Sequence, residues 1–444
     1  MLKVLGARST VNCQGQSRRD FLKAGALGCT GLTLADVLRG RTQAAASGQS
    51  APKTSVIWLW LSGGPSQLET FDPKPDNPSA FRSVVGAART NVPGTVIGGL
   101  FPCLARHADK LAIVRSFAHR QADHAPASHW VMTGHDHPPA GMGAAPIQPS
   151  IGSMVARYRG ATDPATGMPT YASTDHLYAD GPAWLGRAYT PFHVRGDAVS
   201  NMMPRLQQER LSDRRALLRT FDSVNRSLDQ SGVMQGMDNF EGQAFEMIRG
   251  RSVAAAFDLS REDQRLRDRY GPKLGQNLLL ARRLCEAGVG FVSVWYGGWD
   301  SHGTNPSVGH GTIEEEMHKL APSFDQAVPA LLEDLHVRGL EKDILLVITG
   351  EFGRTPWLDQ RSGGRDHWPQ LCTLALAGGG LKIGQIIGQS STRGDVPRTT
   401  PINPQDLLAT LFQYLGMPLD LQYSDLRGRP TRLLEHGRPI AELF

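Results

Sequence analysis

Residues 55–61, Ser-Val-Ile-Trp-Leu-Trp-Leu, form a continuous apolar run that stops at Gly63-Gly64-Pro65. A run without polar alternation predicts a strand buried on both faces rather than one lying on a solvated surface. Shorter apolar runs recur at 111–114, 289–296, 344–348 and 371–377. Among the later runs, apolar residues fall at helical spacing over 277–287, 313–336 and 405–415. Strands alternating with helices of this length need crossover connections, so the order predicts an α/β fold on a mostly parallel sheet. The stretch 160–260 breaks the alternation. Its first half is irregular and rich in Gly, Pro, Tyr and Asp, and its second half, 204–259, is Arg-rich and helical, so the whole reads as an insertion or cap. The Pro/Gly-rich patches at 138–150 and 360–365 read as loops, and there are no internal repeats.

The N-terminal segment belongs to a different pattern. Ser17-Arg18-Arg19-Asp20-Phe21-Leu22-Lys23 is followed by a short, weakly apolar stretch at 24–34 and by Ala44-Ala45-Ala46, the order of a twin-arginine signal peptide over residues 1–46. Export through the twin-arginine translocase to the periplasm or the exterior is therefore expected, with 47–444 as the working part. An amphipathic N-terminal helix is the plainer reading, and Cys29 lies too close to Arg19 for a lipoprotein anchor. Residues 1–46 hold seven Lys/Arg and two Asp/Glu, a surplus of five that equals the net charge of +5 for the whole chain. The remainder is formally neutral, which removes the argument for nucleic acid as a partner. Cys13 and Cys29 leave with the leader, and Cys103, Cys285 and Cys372 sit in apolar contexts without C-x-x-C spacing, as buried structural thiols do. No later run approaches the roughly 20 apolar residues of a membrane span.

Three apolar runs lead directly into polar, Gly-containing loops: Ser62-Gly63-Gly64-Pro65-Ser66-Gln67, Gly297-Gly298-Trp299-Asp300-Ser301-His302-Gly303 and Gly350-Glu351-Phe352-Gly353-Arg354. Ligands of open α/β sheets bind at the carboxyl ends of the strands, so the loops are expected to face one crevice. A fourth segment, Gly364-Arg365-Asp366-His367-Trp368, adds a carboxylate beside an imidazole. Mixed Asp, Glu and His donors suit zinc or manganese and also serve iron, with calcium or magnesium as further options. An isolated Asp-x-His is more often a turn with a surface histidine, and it is the convergence of Asp300, His302, Glu351, Asp366 and His367 on strand ends that points to a metal. In the run His124-Ala-Pro-Ala-Ser128-His129 to His135-Asp136-His137, His124 and His129 are the better ligand candidates and His135 and His137 the weaker ones. Arg354 and Arg365 each fit two roles, a bidentate clamp on a tetrahedral oxyanion or neutralisation of a neighbouring carboxylate.

These residues resemble the alkaline-phosphatase/sulfatase superfamily and, within it, the exported domain-of-unknown-function family 1501. The match runs from the leader through Phe71-Asp72-Pro73-Lys74-Pro75 and the four loops to Pro401-Ile402-Asn403-Pro404-Gln405-Asp406, which is similar to the closing helix of sulfatases. The resemblance implies an α/β, alkaline-phosphatase-like three-layer sandwich with a mostly parallel central sheet and an inserted cap region. It implies one or two metals held by Asp and His, with Asp300 and His302 like the late ligand pair, Glu351 where an Asp usually precedes a His, and His367 like the final histidine. Sulfatases also carry a Cys-x-Pro-Ser-Arg segment ending in Thr-Gly, and His124-Ala-Pro126-Ala127-Ser128 ends in Thr133-Gly134 at the same length. The departures are specific: His124 replaces the nucleophilic Cys, Ser128 the Arg, Phe352 a His, and Gly-Gly the usual Asp after the first strand. The modified-cysteine mechanism is excluded on those grounds.

The reading that follows is an exported metal-dependent hydrolase of sulfate or phosphate esters, an anionic ester being the partner. Metal-activated water or a serine would be the nucleophile, with Ser66 first and Ser128 second, although a serine after Gly-Gly-Pro is also an ordinary helix cap. The alternative is a non-catalytic exported binding or assembly protein that keeps the fold. An oxidoreductase is disfavoured, because no G-x-G-x-x-G follows the first strand and no cysteine set would hold an iron–sulfur cluster.

Overall fold

The computed structural model describes residues 54–136, 146–163, 166–194, 251–304 and 310–444. The leader, His137 and residues 195–250 of the expected insertion lie outside the described residues.

Eight strands make the main sheet, numbered here in chain order: β1 (Ser55–Ser62), β2 (Ala112–Val114), β3 (Tyr171–Ser173), β4 (Phe192–His193), β5 (Phe291–Gly297), β6 (Ile344–Thr349), β7 (Leu374–Gly378) and β8 (Gln385–Ile387). Their spatial order is β8-β2-β7-β6-β1-β5-β3-β4. Only β7 runs against its neighbours β6 and β2, and the other pairs are parallel. β1 lies at the centre, all eight of its residues are buried, and its two faces feed two cores. Ile57, Leu59 and Leu61 join one core, and Val56, Trp58 and Trp60 the other.

Helices close both cores, giving three layers. α1 (His124–Thr133), α2 (Ile151–Arg159) and α5 (Pro404–Leu415) cover the face of Trp58 and Trp60, while α3 (Leu274–Glu286) and α4 (Ile313–Val337) cover the opposite face. The helix starts are written locally. Thr312 and Glu315 form a capping box at α4, and Asn403 and Asp406 form one at α5, each satisfying two backbone donors that the first turn leaves free. α1 ends on Gly134, whose φ of 75° costs little without a Cβ.

One sequence expectation changes. The irregular start of the 160–260 stretch is joined to the main sheet, since β3 pairs with β5 and β4 pairs with β3. Strands of three and two residues are too short to show a period of two, so the alternation could not reveal them.

Parallel adjacency of β6, β1 and β5 has one consequence for chemistry. Ser62 is in register with Gly297, and Trp60 with Thr349, so the loops that follow all three strands leave the sheet along one edge.

Candidate metal centre

The backbone at the end of β1 sets the geometry. Gly63 has φ of +115°, and a Cβ there would lie 2.4 Å from the Asp300 amide nitrogen. A Cβ on Gly64 would meet the Phe352 ring at 2.4 Å. The two glycines, which replace an expected metal-binding Asp, let the first loop lie directly against the loops after β5 and β6. Gly63 then contributes its backbone N–H, which donates to Glu351 Oε1 at 2.8 Å.

Glu351 is fully buried. Its Oε1 also takes the Nδ1 proton of His124 at 2.7 Å, while Oε2 is sealed from solvent with no hydrogen-bond partner among the described residues. Two other imidazoles are held in the same manner. His302 Nδ1 donates to Asp366 Oδ1 at 2.9 Å, and His367 Nδ1 donates to the Ala122 carbonyl at 2.6 Å. With each Nδ1 committed to an oxygen, each ring turns Nε2 inward, and all three meet the Asp300 carboxylate. His124 Nε2 lies 3.5 Å from Oδ2, and His302 and His367 Nε2 lie 3.0 Å and 3.4 Å from Oδ1. The Nε2 atoms of His302 and His367 are 2.9 Å apart.

Lone pairs from three imidazoles and a carboxylate repel one another unless a proton or a cation lies among them. Without a metal ion, protons take that place. Burial lowers the basicity of His124, but hydrogen bonds and charge from Asp300 and Glu351 outweigh it and lift its pKa to about 9. Burial would raise the Asp300 pKa, yet hydrogen bonds from His124, His302 and His367 and the charge of Arg354 hold it far below the usual carboxylate range. Burial keeps His367 below its ordinary value.

The donor set fits a first-row divalent ion. Ligand atoms of His124, Asp300 and His367 all lie within 4.8 Å of one another. Tetrahedral ligands about 2.0–2.1 Å from zinc stand about 3.3 Å apart, close to the observed separations. Phe352 closes the apolar side, its ring centroid 5.0 Å from that of His124 and 4.2 Å from that of His367.

The remaining sequence candidates take other places. Arg354 is fully buried and donates to the carbonyls of Gly63, Gly64 and Arg365 and to Asp300 Oδ1, so its guanidinium holds the loops together rather than facing a ligand. Arg365 pairs with Glu69 at 3.1 Å, both side chains fully buried, and also donates to the Thr355 and Arg82 carbonyls. Asp366 is three-quarters exposed and reaches the centre only through His302. Ser66 is buried, and its hydroxyl accepts from the Glu69 amide at 3.4 Å, the helix-cap arrangement. Ser128 lies one turn beyond His124 on α1, its hydroxyl closed off from solvent with no hydrogen-bond partner among the described residues. Neither hydroxyl hydrogen-bonds to a residue of the cluster. His129 is turned away, its Nδ1 on the His135 carbonyl at 2.9 Å and its Nε2 accepting from the Gln148 amide. His135 binds the Leu433 carbonyl.

Sequence reasoning passed over His119. Its Nδ1 accepts from the Gln121 amide, so Nε2 carries the proton and donates to the Glu351 carbonyl at 2.6 Å, anchoring that loop. A single buried histidine has no spacing signature, and only the pairing reveals its role.

A three-layer α/β protein with a His/Asp cluster at the carboxyl edge of its parallel strands is thus defined by fold and site together. The chain belongs to the DUF1501 family, described as proteins of unknown function, whose sequence profile matches residues 53–444. No curated protein sequence matches it. Solved structures similar to it include the PsFucS1 sulfatase from Pseudoalteromonas sp., with 13% identity and a TM-score of 0.40 over 87% of this chain and 71% of that one. The phosphonate monoester hydrolase SpPMH from Silicibacter pomeroyi gives 13%, 0.40, 87% and 76% for the same quantities. The phosphonate monoester hydrolase of Agrobacterium radiobacter gives 11%, 0.39, 88% and 77%.

Two predictions follow from the buried groups around the cluster. Replacing Arg365 by Ala leaves the Glu69 charge buried without its partner, and urea unfolding should show a loss of about 3–5 kcal/mol; an unchanged midpoint would rule out the strut. Burial pulls the His119 pKa down to about 4 from 6.5. The unfolded chain therefore binds a proton first as pH falls, so the stability owed to neutral His119 is complete above pH 6.5 and is lost toward pH 4. The loss amounts to about 3 kcal/mol. In His119→Gln, unfolding midpoints measured between pH 8 and 4 should fall less steeply than in the parent.

Proposed function

We propose that the protein is an exported, metal-dependent hydrolase of sulfate or phosphate esters. The observation that carries this reading is the common orientation of His124, His302 and His367, each with Nδ1 fixed by an oxygen and Nε2 turned toward Asp300. Carboxylates or carbonyls that fix the outer nitrogen in this way are the usual support of histidine metal ligands. The motif resemblance to the alkaline-phosphatase/sulfatase superfamily supports the ester class.

His124, Asp300 and His367 would hold the ion, with Glu351 orienting His124 from behind. Three protein ligands leave a position open for a ligand, as catalytic zinc sites do. A divalent cation bound there would supply Lewis-acid stabilisation of the negative charge that develops on the ester oxygens. His302 is the most open of the three rings, 39% exposed against 18% for His124 and 20% for His367. With Nδ1 held by the exposed Asp366 carboxylate, it is placed to pass a proton between solvent and the reacting oxygen. The enclosed positions of Ser66 and Ser128 favour water as the nucleophile.

The second reading, a non-catalytic exported protein with a structural ion, draws on the short distance from His302 Nε2 to Asp300 Oδ1 and His367 Nε2. A fourth protein ligand would close the site. The two readings differ at one residue. Elemental analysis of the purified mature protein should find about one divalent ion per chain, lost in Asp300→Ala and His367→Ala; metal-free protein of unchanged stability would sink both metal readings. Under the catalytic reading His302→Ala keeps the ion and lowers turnover of an aryl sulfate or phosphate panel by about 10²–10⁴-fold. Loss of the ion in that variant would favour the structural site.

Export by the twin-arginine route is part of the same proposal and rests on Arg18, Arg19 and the Ala44-Ala45-Ala46 site. Replacing Arg18 and Arg19 by Lys should leave uncleaved precursor in the cytoplasm on fractionation. Unaltered processing and export would remove that assignment.

A further inference from the structure

A cavity of about 770 Å³ opens at the carboxyl ends of β3 and β4, away from the metal centre but on the same edge of the sheet. His176 follows β3 by three residues, and His193 ends β4; both line the cavity, and their rings are in contact at a tilt of 44° with centroids 4.1 Å apart. Ile147, Leu177, Trp184 and Leu426 supply apolar wall. Ile147 and Leu426 are 51% and 85% exposed, unusual for side chains of their size. The Trp184 indole is fixed by its N–H, which donates to Gln148 Oε1 at 2.8 Å.

Two charged side chains face this space. The Asp180 carboxylate is already engaged, since it accepts from the hydroxyls of Tyr171 and Ser150. Arg187 lines the cavity on an exposed turn, and its guanidinium forms no hydrogen bond or ion pair among the described residues. The charged group left with open hydrogen-bonding positions is therefore the Arg187 guanidinium, beside a wall of aromatic and aliphatic surface. A largely apolar hollow of this volume with a few polar groups has the dimensions of an organic ligand site.

The cavity is tied to the metal centre through β5. The Trp295 amide donates to Thr174 Oγ1 at 3.3 Å, and five residues later the same chain segment places Asp300. β3 and β4 stand one and two strands out from β5, about 5 Å and about 10 Å along the edge by strand spacing.

We infer that this cavity binds the organic body of the substrate, a flat ring system carrying a negative group of its own. The ring face lies against Trp184 and the His176/His193 pair, and the anion meets Arg187, which can pair with a sulfonate, sulfate or carboxylate through two parallel N–H donors. The inference rests on the ester-hydrolase reading for its purpose, because it makes the substrate an ester with a second anionic group. Binding itself can be measured without turnover.

Isothermal titration calorimetry of the mature protein with naphthalene-1-sulfonate, which has no ester to hydrolyse, tests it. Binding is expected, weakened at least tenfold by Arg187→Gln and by Trp184→Ala, largely retained by Arg187→Lys, and unchanged by Asp300→Asn. Circular dichroism of each variant checks that the fold is kept. No binding at millimolar sulfonate, or equal affinity in the parent and Arg187→Gln, overturns the inference. Loss of binding in Asp300→Asn also overturns it, by placing the ligand at the cluster. Sulfonate binding to a parent protein that elemental analysis finds metal-free as purified would leave the cavity site standing while the hydrolase reading fell.

Discussion

Asp300 presents a carboxylate, one-third exposed, to three imidazoles and a fully buried guanidinium. Fixed donors hold this partly desolvated charge in place, and every donor is itself held by another residue. His124 is held by Glu351, His302 by Asp366, His367 by the Ala122 carbonyl, and Arg354 by three carbonyls of the surrounding loops. The orphaned Glu351 Oε2 belongs to the same arrangement, since a buried carboxylate with one unmatched oxygen gains from a strong positive partner nearby. The loops after three strands are thereby locked around one point, which is what a precise ligand set requires.

That locking depends on close backbone approach at β1. Gly63 and Gly64 give up side chains so that the loops of Asp300 and Phe352 can lie against them. The position where a ligand Asp was expected instead yields an N–H that fixes Glu351, and the position of an expected His ligand yields the Phe352 ring that shields the cluster from one side. His124, read from the sequence as replacing a nucleophile, turns its Nε2 toward Asp300.

The buried arginines show how a residue's role is assigned by its surroundings. Arg354 and Arg365 looked alike as candidate anion clamps beside carboxylates. Arg354 does meet a cluster carboxylate, Asp300, whereas Arg365 ignores its neighbour Asp366 and pairs with Glu69. Both are enclosed by carbonyls, so their charge organises the loops and is withheld from solvent. Arg187, in a segment that carried no recognisable motif, contrasts with both: it lines a cavity, and its guanidinium is unpartnered among the described residues.

Much of the architecture was legible because it is written in short-range pattern. A strand buried on both faces must be apolar throughout, as at 55–61, and a helix start needs a capping side chain, as at Thr312 and Asn403. The Gly-rich ends of two strands and the segment 364–368, which carry Asp, Glu and His, could likewise be found by eye, and Asp300, Glu351 and His367 do converge. What the sequence left open is which side chains face which. His124 and His129 look equivalent in a linear reading, yet a helix puts five residues well over one turn apart in angle, so α1 aims one at Asp300 and the other at the His135 carbonyl. The short edge strands β3 and β4, the role of His119 and the free guanidinium of Arg187 have no periodic signature at all. Local sequence determined the elements and the chemistry available at their ends. Only the tertiary structure, by setting β6, β1 and β5 side by side and in register, decided which of those groups share a site, because that proximity joins residues far apart in the chain.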